Sequence, residues 1–148
     1  LSLVGSEMCI RDSYEPDLQL KFINDLLKLA NTSIDISDGL IDDLKKMINR
    51  QSVSFHIFEK NIPISNTLSH LIEIKKLRKI DITSRGDDYQ ILFTANPIKS
   101  RIIKRISNDT GIKITKIGKI ISGKNKSKII NIKNKQIEAK NKGYIHQF

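Results

Sequence analysis

The chain has 148 residues, of which 39% are hydrophobic and 28% are charged, and its formal net charge at neutral pH is +10. This composition is typical of a soluble globular protein, and the length suffices for one domain with a sizeable core. No apolar run approaches the roughly 20 residues of a membrane-spanning helix, and the single cysteine, Cys9, excludes an internal disulfide. We therefore expect a cytoplasmic protein without a membrane partner.

Residues 1–13, LSLVGSEMCIRDS, do not resemble the rest of the chain. They lack the basic start, the long apolar centre and the small-residue cleavage site of a signal peptide. The string resembles a translated sequencing adapter, and the alternative is a naturally disordered N-terminus. We expect one folded domain over residues 14–148, preceded in the complete protein by an N-terminal domain that is missing here.

Helix and strand patterns alternate over the first two thirds of this domain. The segment after Pro16 shows helical spacing, with an expected apolar stripe of Leu20, Ile23, Leu27 and Ala30 and with Leu26 beside it. A short strand, SIDIS, and a second helix, GLIDDLKKMINR, follow it. The pattern then predicts a strand at SVSFHIF, a helix over roughly residues 66–77 and a buried strand at YQILFTA.

The last third of the chain reads as one helix followed by short strands. Asn96 and Pro97 predict the cap and the first position of the helix, and Gly111 is its expected end. Strands follow at IKITKIGKII, SKIINIK and QIEA, and Gly118 suggests a bulge in the first of them. This order predicts the α/β class, mixed in the α+β sense, with a mixed sheet covered by helices.

Acidic residues are concentrated in the segment IDISDGLIDDL, although the chain as a whole is basic. Strand alternation places Asp35 and Ser37 on one face, and Asp38 lies at the turn into the next helix. Carboxylate and hydroxyl oxygens suit a hard cation such as Mg²⁺, and the amides at a helix start suit a phosphate. The alternative is an ordinary helix start at which Ser37 or Asp38 is the capping residue.

A second acidic motif, RGDDYQILFT, begins at Arg85. Asp87 and Asp88 are expected in a turn at the entrance of a strand, where acidic residues are common, so the motif alone is weak. In the second half of the first motif, where the next helix begins, Asp42 and Asp43 are expected on the solvated face, because negative charge near the helix N-terminus is favourable.

Together and in this order, the two motifs resemble the C-terminal half of the thiamine-monophosphate kinases. That family has a similar Asp-x-Ser-Asp-Gly-Leu and, later, a Gly-Gly-Glu-Asp-Tyr-Glu-Leu. The likeness continues in KIGKI at 116–120 and in GYIHQF at 143–148, and it covers roughly residues 14–148. It implies a single mixed α/β domain, the C-terminal domain of the aminoimidazole ribotide synthetase-like fold.

The resemblance also implies an ATP-dependent kinase that phosphorylates thiamine monophosphate to thiamine diphosphate. By motif match, Asp35 and Asp38 would bind Mg²⁺ and Ser37 would contact ATP. Asp87 would contact thiamine monophosphate, and Tyr144 would stack on its thiamine ring. The family's N-terminal domain supplies most of the metal carboxylates, the nucleotide pocket and the homodimer contact. This chain alone is therefore expected to be inactive, and no catalytic residue is assigned to it.

The sequence departs from the family pattern at several positions near the expected substrate contacts. Arg85 replaces a glycine, Asp87 and Gln90 each replace a glutamate, and Gln147 is inserted before the final phenylalanine. These differences weaken the substrate assignments more than the metal assignments.

The alternative is a stand-alone basic module that binds nucleic acid or has another non-catalytic role. From Pro97 onward the chain has 14 Lys and Arg residues against two acids, Asp109 and Glu138, and such an imbalance suits phosphate backbones. However, the lysines alternate with isoleucine, and Tyr144 and Phe148 are the only aromatic residues of this region. We therefore do not expect nucleic acid as a partner, and salt-sensitive binding of generic DNA would contradict this expectation.

Overall fold

The computed structural model describes residues 2–4, 20–84 and 90–138. The helices in these ranges are α1 (Leu20–Leu29), α2 (Leu40–Ile48), α3 (Asn66–Lys75), α4 (Lys79–Thr83) and α5 (Ser100–Thr110). The strands are β1 (Ser2–Val4), β2 (Ala30–Asp35), β3 (Val53–Phe58), β4 (Ile91–Ala95), β5 (Ile114–Lys116), β6 (Gly118–Ser122), β7 (Lys128–Ile130) and β8 (Gln136–Ile137). Short 3₁₀ turns occupy Glu59–Asn61 and Pro97–Lys99.

The first sheet has the strand order β2-β4-β1-β5, and its neighbouring strands are antiparallel. In its β2–β4 pair, Ile34 lies opposite Leu92 and Asp35 lies opposite Ile91. The backbone of β1 pairs with both β4 and β5, so Ser2–Val4 belongs to this sheet. The adapter origin of residues 1–13 stays a prediction.

The second sheet is mixed, with the strand order β6-β3-β7-β8. β3 is antiparallel to β6 and parallel to β7, and β8 is the antiparallel neighbour of β7. Helices and mixed strands confirm the predicted fold class, although the described strands form two sheets rather than one. No helix in the described ranges has the length and apolarity to cross a membrane.

The chain passes from the first sheet to the second at Ile117. The sequence predicts one strand here with a bulge at Gly118, and this prediction is wrong because β5 and β6 belong to different sheets. Ile117 is fully buried between them. A Cβ on Gly118 would collide with the carbonyl oxygen of His56, so the glycine allows β6 to lie directly against β3.

The buried side chains form two clusters, one on each side of the first sheet's strands β2 and β4. The larger cluster joins α2, both sheets and Ile80, and its fully buried members include Leu44, Ile57 and Leu92. The smaller cluster lies under α1 and α5 and is built on Phe22, Leu29 and Phe93. The rings of Phe22 and Phe93 pack at a centroid distance of 5.9 Å.

Helix α1 exists as predicted, but only part of the expected apolar face is buried, since Leu26 and Ala30 pack against the smaller cluster. Ile23 and Leu27, two members of the expected stripe, are 44% and 78% exposed, whereas Phe22 and Leu29 are buried and Leu26 packs beside them. The spacing of Phe22, Leu26 and Leu29 is equally helical, so periodicity alone did not select between the two stripes.

Candidate functional site

At the end of strand β2, inward and outward side chains of the first acidic motif alternate as predicted. Ile34 is half-buried, Asp35 is exposed and Ile36 is 1% exposed. The strand ends at Asp35, and Ser37 and Asp38 follow in the turn, both half-buried. The structure therefore brings Asp35, Ser37 and Asp38 to one short segment between β2 and α2.

The start of α2 is not capped by Ser37 or Asp38, so this prediction is wrong. The capping position is occupied by Gly39, at φ +117°, which has no side chain to offer. Instead, one oxygen of Asp43, Oδ2, accepts hydrogen bonds from three successive backbone amides: Ser37 at 2.9 Å, Asp38 at 2.9 Å and Gly39 at 3.1 Å. These amides are consequently engaged within the chain, which differs from the expected phosphate contact.

Asp43 was expected on the solvated face of α2, but its side chain is only 1% exposed. It lies three residues after Leu40 and one before Leu44, both fully buried, so it shares their face of the helix. Its neighbour Asp42 is only half-buried, which is closer to the predicted solvated position, and it accepts a hydrogen bond from the exposed Lys45 at 2.9 Å.

Lys46 links the buried carboxylate to the surface one. Its ammonium donates to Oδ1 of Asp43 at 2.8 Å and also to Oδ2 of Asp38. The bond to Asp38, followed by the bond to Asp43, raises the pKa of Lys46 above its usual range. Half of the Lys46 side chain and 29% of that of Asp38 remain exposed, so the pair is accessible from solvent.

Two contacts bring the second acidic motif next to the first, one just before Arg85 and one at Gln90. A Cβ on Gly39 would lie 2.5 Å from the carbonyl oxygen of Ser84, the residue before Arg85. On the other side, the backbone N–H of Ile36 donates to the carbonyl of Gln90 at 2.9 Å. The predicted substrate contacts Asp87 and Tyr144 lie outside the described residues.

A complete metal site is not present among the described residues, because no group of three or more His, Cys, Asp or Glu side chains converges there. Asp35 and Asp38 nevertheless offer two carboxylates on one short segment, with at least part of each accessible. Mg²⁺ is commonly held by one or two carboxylates together with water and substrate phosphates. The donor set therefore fits a cation that arrives with a phosphorylated ligand.

Comparison with known proteins gives one consistent family. No family model matches the chain. The thiamine-monophosphate kinase of Buchnera aphidicola subsp. Schizaphis graminum (strain Sg) is 34% identical over 124 residues, which are 82% of this chain and 37% of that protein. The thiamine-monophosphate kinase of Aquifex aeolicus (strain VF5) is 34% identical over 86 residues, which are 57% of this chain and 28% of that protein.

A solved structure extends this likeness to the fold. AaThiL complexed with AMPPCP and TMP superposes with a TM-score of 0.65 at 27% identity, over 92% of this chain and 40% of that one. The chain spans only about a third of the length of the curated relatives it matches. The resemblance predicted from the two motifs is thus confirmed: in sequence and in fold, the chain is similar to the C-terminal part of the thiamine-monophosphate kinases.

Proposed function

We propose that the chain is part of an enzyme that transfers a phosphoryl group from ATP to thiamine monophosphate, giving thiamine diphosphate. The relatives named thiamine-monophosphate kinase support the proposal, and so does the likeness to a structure that contains the ATP analogue AMPPCP together with TMP. The observation that carries it is the meeting of the two motifs. The backbone N–H of Ile36 in the first motif donates to the carbonyl of Gln90 in the second, about fifty positions along the chain, and Gly39 lies against Ser84, which directly precedes the second motif.

Within this proposal, Asp35 and Asp38 hold Mg²⁺ and Ser37 contacts ATP. When bound, Mg²⁺ supplies charge neutralisation to the phosphates. Phosphoryl transfer depends on positioning and electrostatic stabilisation more than on covalent help from the protein, so a turn that presents carboxylates without a nucleophile suits this reaction. Asp87 and Tyr144 would contact thiamine monophosphate, the former from the segment between Ser84 and Gln90.

The reaction belongs to the complete protein rather than to this chain. The chain spans 28% and 37% of the two relatives described above. We therefore propose that the rest of the protein supplies the remaining metal ligands, the rest of the nucleotide site and the homodimer contact. Alone, the chain is expected to be inactive. A soluble cytoplasmic location is likewise part of the proposal.

The test is to sequence the source DNA upstream of Ser13 and to express the complete reading frame. The complete protein is expected to form thiamine diphosphate from ATP and thiamine monophosphate. Replacing Asp38→Asn should lower kcat by about a hundredfold or more, because a carboxylate that holds Mg²⁺ against phosphate acts in the transition state. The matched control Asp42→Asn, which makes the same charge change one helical turn away, should retain normal turnover.

Two results would contradict the proposal. A start codon near residue 1 with a stop codon behind it would identify a natural single-domain protein and would refute the adapter interpretation. Near-normal turnover of Asp38→Asn in the complete enzyme would refute the metal role of that residue.

A further inference from the structure

The turn Ser37–Gly39 is held by two residues of α2 that the family resemblance does not single out. We propose that Asp43 is the positioning residue of the turn, because it fixes the backbone, and that Lys46 is a monovalent placeholder that occupies the Asp38 carboxylate until a cation displaces it. The role of Asp38 rests on the proposed function, whereas the fixing of the turn does not depend on it.

The case for Asp43 begins with its hydrogen bonds. Three successive amides converge on its Oδ2 at 2.9–3.1 Å, which is the arrangement that elsewhere forms a concavity for an external anion. Here the anion is an internal side chain that is 1% exposed. Charge-assisted bonds of this kind are about twice as strong as neutral ones, and all of them are lost together if the carboxylate is removed.

Other contacts leave the turn little freedom to rearrange around a different acceptor. Gly39 is at φ +117° and closely approaches the Ser84 carbonyl, and Ile36 is bonded to Gln90. The turn is thus fixed from α2 on one side and from the flanks of the second motif on the other.

Lys46 has a different role because its two partners differ in exposure. It bonds to the buried Asp43 and to the accessible Asp38, whose side chains are 1% and 29% exposed. A divalent cation reaching Asp38 competes with the ammonium for that carboxylate, while Asp43 continues to hold Lys46 next to it. Lys46 therefore acts as a monovalent placeholder that a cation must displace from Asp38.

The first experiment uses amide hydrogen exchange and NMR on the full chain, with the variants Asp43→Asn and Asp42→Asn. Both variants remove one negative charge from α2, but only Asp43 contacts the turn. In Asp43→Asn, protection of the Ser37, Asp38 and Gly39 amides should fall at least about tenfold, with protection of the Ile57 and Leu92 amides unchanged. In Asp42→Asn the turn amides should stay within about twofold of the wild type.

Equal protection of the turn amides in Asp43→Asn and wild type would overturn the proposal. Should Asp43→Asn not fold, the wild-type protein gives a direct answer. Scalar couplings across the hydrogen bonds from the three amide nitrogens to the Asp43 carboxyl carbon are expected, and their absence would likewise overturn the proposal.

The second experiment follows Mn²⁺, added alone, by the paramagnetic broadening of the same amides. Lys46→Met should lower the Mn²⁺ concentration at half-broadening about two- to fivefold, the range expected when one exposed ion-pair competitor is removed. Lys45→Met, which removes a charge that pairs only with Asp42 among the described ion pairs, is the matched control and should leave that concentration unchanged. An unchanged or higher concentration for Lys46→Met would refute the placeholder role.

The two experiments separate this inference from the proposed function. Absence of broadening at the turn in the wild type, combined with loss of protection only in Asp43→Asn, would refute a cation site formed by this chain alone and support the fixing of the turn. Broadening in the wild type with no loss of protection in Asp43→Asn would support the cation site and overturn the role of Asp43.

Discussion

Helix α2 carries two ion pairs of the same composition, one residue apart. Asp42 bonds to Lys45 at 2.9 Å and Asp43 bonds to Lys46 at 2.8 Å, both with the same spacing along the helix. The carboxylate of the first pair is 27% exposed and that of the second is 1% exposed. Only the second also accepts three backbone amides. Residue type, spacing and bond length therefore do not determine what an ion pair contributes, whereas burial and additional partners do.

Among changes to the two pairs, Asp43→Ala should lower the free energy of unfolding most. It leaves three amides of the turn without their acceptor and removes one of the two acceptors of Lys46, and breaking a buried pair in this way costs roughly 3–5 kcal/mol. Urea unfolding followed by circular dichroism would show a lower midpoint at an unchanged slope. A loss below about 1 kcal/mol would mean that water replaces the carboxylate at little cost.

A smaller but still large effect is expected for Gly39→Ala, which alters the turn itself. A Cβ would lie 2.5 Å from the Ser84 carbonyl oxygen at a backbone angle of φ +117°, so strain and overlap together should cost about 2 kcal/mol or more. Gly111→Ala is the control for strain alone, because Gly111 is at φ +73° with no atom within 4 Å of the added Cβ. Equal unfolding midpoints for the two variants would show that the Ser84 contact yields readily.

Lys46→Met tests the same comparison by removing the lysine of the buried pair rather than its carboxylate. Asp43 would keep its three amide bonds but lose the ammonium, and half of the Lys46 side chain is already exposed to solvent. The expected loss is about 1 kcal/mol or less. Chemical denaturation of this variant beside Lys45→Met measures the difference between the two lysines, and a larger loss for Lys45→Met would reverse our ranking of the pairs.

The smallest effect belongs to Asp42→Asn. Its carboxylate bonds to a lysine that is 58% exposed, and surface pairs of this kind contribute at most about 1 kcal/mol and often nothing measurable. The unfolding midpoint should therefore match that of the wild type within experimental error. A clear decrease would show that negative charge in the first turn of α2 contributes by itself.

Much of the fold was predictable from local patterns, because alternation and helical spacing report which residues face inward. The inward positions of Ile34 in β2 and of Ile36 just after it are confirmed, and so is the end of α5 at Gly111. Asn96 is a cap as predicted, but it caps the 3₁₀ turn Pro97–Lys99 that leads into α5. The division into two sheets was not predicted. One signal for it exists, since the alternation of Ile112 and Ile114 changes phase at Ile117, where the chain leaves the first sheet.

The grouping of Asp35, Ser37 and Asp38 at the end of β2 was predictable from the sequence, and the side chains that support it were not. Asp35, Ser37 and Asp38 stand out because polar residues gather at a strand end. The sequence predicts Asp43 on the solvated face because negative charge is favourable in the first turn of a helix, and this prediction is wrong. Its position three residues after Leu40, and a glycine where the helix needs a capping acceptor, are the two signals that point to a buried carboxylate.

Ile117 has a consequence for how the chain folds. This one buried residue connects β5 of the first sheet to β6, the edge strand of the second. The pairing of β6 with β3 joins residues far apart in sequence, such as His56 and Lys119. Because Ile117 alone separates β5 from β6 and is itself buried, we expect these two strands to join their sheets together. The domain should accordingly unfold and refold in a single cooperative step, and at the slower rates typical of non-local strand pairing.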